Sequence, residues 1–132
     1  MDTSGKLVNG DNKAFWEGAR QHKLLIQKCN RCDSVQFPPR HHCIKCWEAD
    51  LVMVECSGRG RVESYTIVRR APLAAFRDKV PYPVAAILLE EGPRLMAGVI
   101  GEDALDVAIG DAVTVDFEED ADGNVLPQFR RA

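Results

Sequence analysis

The chain lacks the features of a membrane-spanning, secreted or self-contained catalytic protein. Among its 132 residues, no apolar stretch approaches the roughly 20 residues that cross a bilayer. Residues 1–13 are polar and contain no apolar segment of the kind found in secretory signals. The sequence has no G-x-S-x-G elbow, no phosphate-binding P-loop and no H-E-x-x-H motif. We therefore expect a soluble chain without a membrane partner.

Histidine is scarce, and its placement argues against acid–base catalysis by this chain alone. The three histidines are His22, His41 and His42, all in the N-terminal third of the sequence. A nucleophile needs a base close to it in space. The remainder of the chain contains no histidine, so we do not expect a catalytic site of its own. Carboxylate chemistry stays open.

The two ends of the chain differ in charge. Residues 1–46 carry eight Lys or Arg and four Asp or Glu, whereas residues 47–132 carry nine and sixteen. A protein dedicated to nucleic acid usually has a clearly basic domain. Here the N-terminal part is mildly basic and the C-terminal part is acidic, which argues against such a role.

Two cysteine pairs are the most informative motif. Cys29-x-x-Cys32 and Cys43-x-x-Cys46 are separated by ten residues, the spacing of a zinc ribbon. Four thiolates at about 2.3 Å complete a tetrahedral zinc site and leave no position for water, so the ion would be structural. Disulfides are the alternative. Reduced, metal-binding cysteines and the lack of a signal indicate a cytoplasmic protein.

Some residues near the cysteines need separate interpretation. Asp33 and Trp47 stand just after the two knuckles, where ribbons often have glycine. His41 and His42 are predicted to be surface loop residues, although one of them could replace a cysteine ligand. Cys56 lies outside the pattern and is predicted to be a small core residue.

A short helix is predicted before the ribbon, from Asn12 to His22. Phe15, Trp16 and Ala19 lie on one face by helical spacing, and Gly18 weakens the helix. The pair Phe15 and Trp16 has two interpretations. The rings pack against the chain's own ribbon, or they form a docking surface for a partner protein.

The sequence from residue 51 onward has the pattern of an antiparallel β-barrel. Gly58-Arg59-Gly60 is predicted to be a flexible turn, and Pro127 is expected on a closing edge strand. β-Branched runs, alternation and turn residues predict five strands: Arg61–Arg69, Val84–Leu89, Leu95–Ile100, 113–118 and Val125–Arg130. Five such strands close most naturally as an OB-type barrel. The predicted units are a tail and helix at 1–23, a zinc ribbon at 24–50 and an OB-fold domain at 51–132.

Several short motifs, in this order and spacing, resemble a known family, that of the zinc-ribbon/OB-fold acyl-CoA-associated proteins. The resemblance extends from about Phe15 to Arg130. The motifs are Phe15-Trp16-Glu17-Gly18, Leu24-Leu25-Ile26-Gln27-Lys28-Cys29, Phe37-Pro38-Pro39-Arg40, Ser57-Gly58-Arg59-Gly60-Arg61-Val62, Glu90-Glu91-Gly92-Pro93-Arg94-Leu95 and Pro127-Gln128-Phe129.

The resemblance implies a mainly β fold with a short N-terminal helix, a rubredoxin-like zinc ribbon and a five-stranded OB barrel. It also implies a role as a non-catalytic accessory subunit of a thiolase-fold enzyme, such as a thiolase, a lipid-transfer-protein-like aldolase or an acyltransferase. Such subunits are thought to hold the complex together and to help bind the acyl-CoA thioester. Because thiolase-fold enzymes are dimers, we expect a heterotetramer.

Basic residues near the first barrel strand are candidates for binding the phosphates of CoA, which call for Arg or Lys donors. Arg69, Arg70, Arg77 and Lys79 bracket the loop after that strand, a common ligand-binding position on OB folds. The alternative is a solvated basic surface, or ion pairs to a partner.

Two rival functions remain open. Zinc ribbons and OB barrels both bind single-stranded nucleic acid, which requires aromatic platforms and a basic groove. Phe117 and Phe129 occupy core-like positions, and the acidic residues of 116–122 would repel a phosphate backbone. The second rival is a purely structural scaffold that never contacts the ligand.

Overall fold

One short helix precedes a small sheet and a closed barrel in the computed structural model, which describes residues 11–71, 74, 77–120 and 123–132. The first ten residues of the predicted tail lie outside this range. The run Leu73–Phe76 could form a helical turn by its sequence, and most of it also lies outside this range. The expected mainly β architecture is confirmed.

The helix α1 covers Lys13–Arg20, slightly shorter than predicted. Phe15 and Ala19 are buried, as their spacing indicates. Gly18 lies so close to the next strand that a Cβ there would come within 2.5 Å of Leu25 Cδ1, so its lack of a side chain permits this packing. Within the described residues, none of the helices has the length and apolar character to cross a bilayer.

The zinc-ribbon region contains a three-stranded antiparallel sheet. Its strands are β1 (Leu25–Cys29), β2 (Val35–Gln36) and β3 (Leu51–Glu55), with β1 in the centre. The pairing of β3 with β1 runs from Cys29 opposite Leu51 to Leu25 opposite Glu55. The ribbon's sheet therefore continues past the expected boundary at residue 50, because the apolar run that follows this boundary pairs with β1 in an antiparallel arrangement.

The remaining five strands form a closed barrel in the order β4-β5-β6-β8-β7. This confirms the OB-fold prediction. Buried residues alternate with partly exposed ones throughout β5. The connection after the third barrel strand contains one 3₁₀ turn, Ala104–Asp106. The strands are β4 (Arg59–Val68), β5 (Tyr82–Leu89), β6 (Arg94–Ile100), β7 (Ala112–Glu119) and β8 (Val125–Arg131).

The last strand is not the edge strand that the sequence suggests. β8 pairs with β7 along its length and with β6, in parallel, at Val99 opposite Phe129 and Ile100 opposite Arg130. Pro127 precedes this parallel pairing, so its missing N–H removes no hydrogen bond to β6. Proline is tolerated because the β6–β8 pairing is short.

The ribbon and the barrel share one hydrophobic core. Phe15 and Ile26 belong to the same buried cluster as Ile87 and Phe129. α1 packs against β1 of the ribbon and β8 of the barrel. Just after the helix, His22 stacks on Phe117 of β7 with ring centroids 5.2 Å apart. The helix therefore joins the ribbon to the barrel, and the hydrophobic core of the barrel is continuous with that of the ribbon.

Gly60 lies inside a strand and not in the flexible turn that the sequence suggests. It pairs with Leu89 on one side and with Val113 on the other. A Cβ at Gly60 would lie 2.7 Å from the carbonyl oxygen of Leu88 and 2.8 Å from Ile87 Cγ2. Since the nearest atom is backbone, relief would require the strands to separate.

We expect Gly60→Ala to destabilise the protein by about 2 kcal/mol, in the range of overpacked core substitutions. Urea unfolding followed by circular dichroism measures this. Ser64→Ala, at an exposed position of the same strand, is the control and should stay within about 0.5 kcal/mol of the parent. Equal stability of the two variants would contradict the close approach at Gly60.

Candidate metal centre and barrel groove

Two matching turns present the four cysteines. The N–H of Asp33 donates to the carbonyl of Cys29, and that of Trp47 donates to the carbonyl of Cys43, each at 2.9 Å. Both residues have a left-handed backbone, with φ of 61° at Asp33 and 67° at Trp47. These are the positions where glycine is common in ribbons. The turn geometry therefore forms here without glycine, at a cost in backbone strain.

The four sulfur atoms have the separation of a tetrahedral site. All Sγ atoms lie within 4.8 Å of one another. Cys29 and Cys46 are 3.6 Å apart, as are Cys32 and Cys43. A tetrahedron with metal–sulfur bonds of about 2.3 Å has edges of about 3.8 Å, whereas a disulfide requires about 2.05 Å. The cysteines are free, and their arrangement suits one zinc ion.

Backbone donors surround the sulfurs, as a cluster of negative charge requires. Arg31 N–H donates to Cys29 Sγ at 3.3 Å, and Lys45 N–H donates to Cys43 Sγ at 3.4 Å. The Ser34 hydroxyl lies 2.9 Å from Cys32 Sγ and 3.3 Å from Cys43 Sγ. Hydrogen bonds to a thiolate favour the charged form that binds metal.

The pKa values of two of the cysteines shift in opposite directions. The hydrogen bond from Ser34 is the main reason that the pKa of Cys43 falls to about 6. The backbone of Glu48 lowers the pKa of Cys46, but burial and the neighbouring sulfurs outweigh this and raise it to about 12. Four adjacent thiolates repel one another, and a divalent cation removes that repulsion.

Two buried glutamines, which sequence reasoning missed, hold the second knuckle against the sheet. Gln36 Nε2 donates to Gln27 Oε1 at 2.6 Å and to the carbonyl of His42 at 3.2 Å. Gln27 exchanges two hydrogen bonds with the backbone of Arg40, and Ile44 N–H donates to Gln36 Oε1 at 2.9 Å. The only signal in the sequence is a glutamine at an inward-facing position of an apolar strand.

The remaining candidates near the cysteines are not part of the sulfur cluster. His41 and His42 are exposed, and His41 Nδ1 lies 2.9 Å from Asp11 Oδ1. Cys56 is buried in the hydrophobic core, where desolvation raises its pKa. These contacts agree with loop histidines and a core cysteine.

The predicted docking pair is largely turned inward. Phe15 is 5% exposed and lies 5.0 Å from the ring of Trp16 and 5.2 Å from that of Phe37. These contacts fit the interpretation in which the two rings pack against the chain's own ribbon. Trp16 is half-buried, and its Nε1 has no acceptor in the described part of the chain. A docking role for this pair stays a prediction, and only Trp16 offers a surface for it.

The candidate phosphate-binding residues follow β4, in a segment whose described residues (69–71, 74 and 77–80) we call the cationic loop. Arg69, Arg70, Arg77 and Lys79 are all exposed. Arg69, Arg70 and Arg77 form no ion pair with any described residue. Asp78 is the single acidic residue of the loop, so its net charge is +3. The structure thus presents four exposed cations in one segment between β4 and β5.

A groove of about 690 Å³, which we call the barrel groove, runs beside this loop. It crosses the outer side of four barrel strands, β5, β6, β7 and β8, and it reaches Lys79 and Pro81 in front of β5. On OB folds this region binds ligands. Lys79 is the one residue of the four predicted cations that lines it. Its walls are mainly apolar and include Tyr82, Val84, Ile100, Leu105 and Leu126.

The fold and the site together define a class of protein: a structural zinc ribbon joined to an OB barrel. Residues 16–52 match the rubredoxin-like zinc ribbon domain of ChsH2, and residues 53–118 match the C-terminal OB-fold domain of ChsH2. A DUF35 domain-containing scaffold protein of Methanothermobacter thermautotrophicus is 34% identical over 84% of this chain and 86% of its own length. The chain belongs to this DUF35 family.

Other relatives are longer proteins or parts of complexes. The chain is 37% identical, over 95% of its length, to a probable enoyl-CoA hydratase alpha subunit of Thermomonospora curvata, of which it spans only 39%. Among solved structures, a chain of the Ltp2-ChsH2(DUF35) aldolase matches with a TM-score of 0.85 and 36% identity, covering 94% of this chain and 96% of that one. A DUF35 protein of Sulfolobus solfataricus, 20% identical with a TM-score of 0.67, shares the fold.

We expect the purified chain to hold one zinc ion and Cys43→Ser to lose it, because three thiolates and a hydroxyl bind zinc poorly. Elemental analysis by mass spectrometry measures the stoichiometry. The matched control is Cys56→Ala, which removes the fifth cysteine and should keep one zinc per chain. Retention of zinc by Cys43→Ser, or its loss in Cys56→Ala, would contradict the assigned ligands.

We expect Trp47→Gly to raise stability by about 1 kcal/mol, because it relieves the left-handed strain while removing a side chain that is 77% exposed. Urea unfolding of the zinc-loaded protein measures this. Asp33→Gly, at the matching position of the first knuckle, should gain less because aspartate tolerates this conformation better. Destabilisation by Trp47→Gly would show that the indole contributes packing.

Proposed function

We propose that this chain is a non-catalytic accessory subunit that docks on a thiolase-fold enzyme and helps it bind an acyl-CoA thioester. The match to a chain of the Ltp2-ChsH2(DUF35) aldolase carries the proposal, because it covers nearly all of both chains at 36% identity. The similarity to hydratase alpha subunits supports the same role, since these names also belong to subunits of acyl-CoA enzymes.

The chemistry of the chain supports a role without catalysis. The metal centre has four sulfur ligands and no open position for a substrate. His22, His41 and His42 are exposed, and none of them lines the barrel groove. Glu102 and Glu118 line the groove, but no histidine or cysteine accompanies them to form a nucleophile–base pair. The reaction is therefore assigned to the partner.

Binding of acyl-CoA is assigned to the cationic loop. Arg69, Arg70 and Arg77 are exposed and free of ion pairs within the described residues, so their guanidinium groups are available to phosphates. The reduced cysteines of the metal centre fit a cytoplasmic complex.

The DUF35 scaffold proteins favour a second candidate, a scaffold that holds enzymes together without touching the ligand. The nucleic-acid function has weaker support. Phe129 is fully buried and Phe117 is partly buried against His22, so neither ring is a stacking platform. Glu118 also lies in the groove where a strand would bind.

The docking proposal is tested by co-expressing the chain with a thiolase-fold aldolase of the same genome. We expect the two to co-purify and native mass spectrometry to give a two-plus-two heterotetramer, since a dimeric enzyme offers two equivalent sites. Separation of the two chains on size exclusion would contradict docking. Condensation, cleavage or acyl transfer by this chain alone would contradict a non-catalytic role.

The role of the cationic loop is tested separately, with the double variant Arg69→Ala/Arg70→Ala in the complex. Loss of two charge-assisted contacts should weaken octanoyl-CoA binding about tenfold or more, measured by calorimetry. The matched Lys/Lys variant keeps both charges and should retain most of the affinity. An unchanged affinity in the Ala/Ala variant, with the complex intact, would favour the pure scaffold.

A further inference from the structure

The barrel groove and the cationic loop adjoin each other but differ in chemistry. The groove walls are mainly apolar, whereas the loop carries a net charge of +3. Lys79 belongs to both, because it lies in the loop and lines the groove. One ligand that fills both would therefore need an anionic part and an uncharged, mainly apolar part joined to it.

The floor of the groove is shaped by Gly98. A Cβ at this position would lie 2.8 Å from Gln128 Oε1, which accepts a hydrogen bond from Gly98 N–H at 2.8 Å. The missing side chain lets the Gln128 amide lie across β6. Its Nε2 donates to no group in the described residues, so this amide remains a donor, with two N–H groups, for a ligand carbonyl.

The charges around the groove exclude an anion from its interior. Glu102 and Glu118 line it and would repel a carboxylate or a phosphate placed there. An anionic group is instead stabilised at the loop, beside Arg77 and Lys79. The volume of about 690 Å³ lies within the range of about 300–1,000 Å³ that is typical of small-molecule sites.

We propose that the barrel groove holds the pantetheine arm of acyl-CoA and the first carbons of its acyl group, while the cationic loop binds the phosphates. This rests on the proposed function, which supplies acyl-CoA as the ligand. The arm is flexible, uncharged and largely aliphatic, and its two amides match the free donor of Gln128. A free fatty acid fits less well, because its carboxylate is not separated from its chain.

Calorimetry on the purified full-length chain and on the complex tests this assignment with four probes. They are octanoyl-CoA, CoA, octanoate, and 3′-phosphoadenosine 5′-diphosphate, which has the same phosphates without the arm. We expect octanoyl-CoA and CoA to bind tighter than the arm-less nucleotide, and octanoate to bind weakest. Equal affinity of CoA and the arm-less nucleotide would overturn the role of the groove.

A matched pair of variants locates the arm. Leu105 is 52% exposed and lines the groove, whereas Ile109 is 70% exposed, lies in the same connection and does not line it. Leu105→Gln should weaken CoA binding about fivefold, as loss of one apolar contact predicts, and should leave the arm-less nucleotide unchanged. Ile109→Gln should change neither. Equal effects of the two variants would overturn the proposal.

Failure of this proposal differs in its outcome from failure of the proposed function. If Arg69→Ala/Arg70→Ala weakens binding but Leu105→Gln does not, the loop binds phosphates and the groove is not used. If none of the probes binds the chain or an intact complex, the groove proposal is wrong while docking stands. Amide chemical shifts of Gly98 and Gly101 on addition of CoA give an independent readout, and no shift at saturation would also overturn it.

Discussion

Four sulfurs within 4.8 Å of one another are the constraint on which the ribbon depends. The sheet around them is too small to be stable alone, since β2 contains only two residues. Four adjacent thiolates repel one another, and the pKa of Cys43 is lowered while that of Cys46 is raised. Three features place four charges around one ion: the geometry of the knuckles, the backbone donors and the left-handed turns. Metal binding and folding of the ribbon are therefore one process.

The barrel is stabilised differently, by a closed ladder of strands and alternating burial, yet it is not independent of the metal centre. Phe15 packs on Phe37 in the ribbon, and the helix that carries it also contacts β8. The shared core links the two parts through apolar contacts that do not depend on charge. Loss of the metal would therefore affect both knuckles directly, while the helix, held from the barrel side as well, would be affected less.

The sequence predicts those features whose physical cause is local. Thiolate chemistry sets the spacing of the cysteines, alternation identifies β7, and β-branched or apolar runs between turn residues identify the other barrel strands. The other features of the fold depend on pairing between residues that are distant in sequence. The third ribbon strand resembles a barrel strand until its pairing with β1 is known, and Gly60 resembles a turn residue until two neighbouring strands close around it. The sequence does not reveal the Gln27–Gln36 network, because the partners of these side chains are backbone groups distant in sequence. The groove was not predictable because it depends on the outer faces of several strands.

The distribution of chemical groups fits the proposed function, in which the chain acts through another protein. Its reactive sulfurs face one another in a closed site, and its one buried free thiol, Cys56, lies in the core with a raised pKa. Its histidines are on the surface, away from the groove, where no acid–base pair forms with a nucleophile. What the described residues leave accessible is binding chemistry: the guanidinium groups of Arg69, Arg70 and Arg77, which form no ion pair there, a mainly apolar groove and the amide N–H groups of Gln128. In the proposed function, this chemistry on a rigid scaffold would position a thioester, and the bond changes would come from residues that a partner supplies.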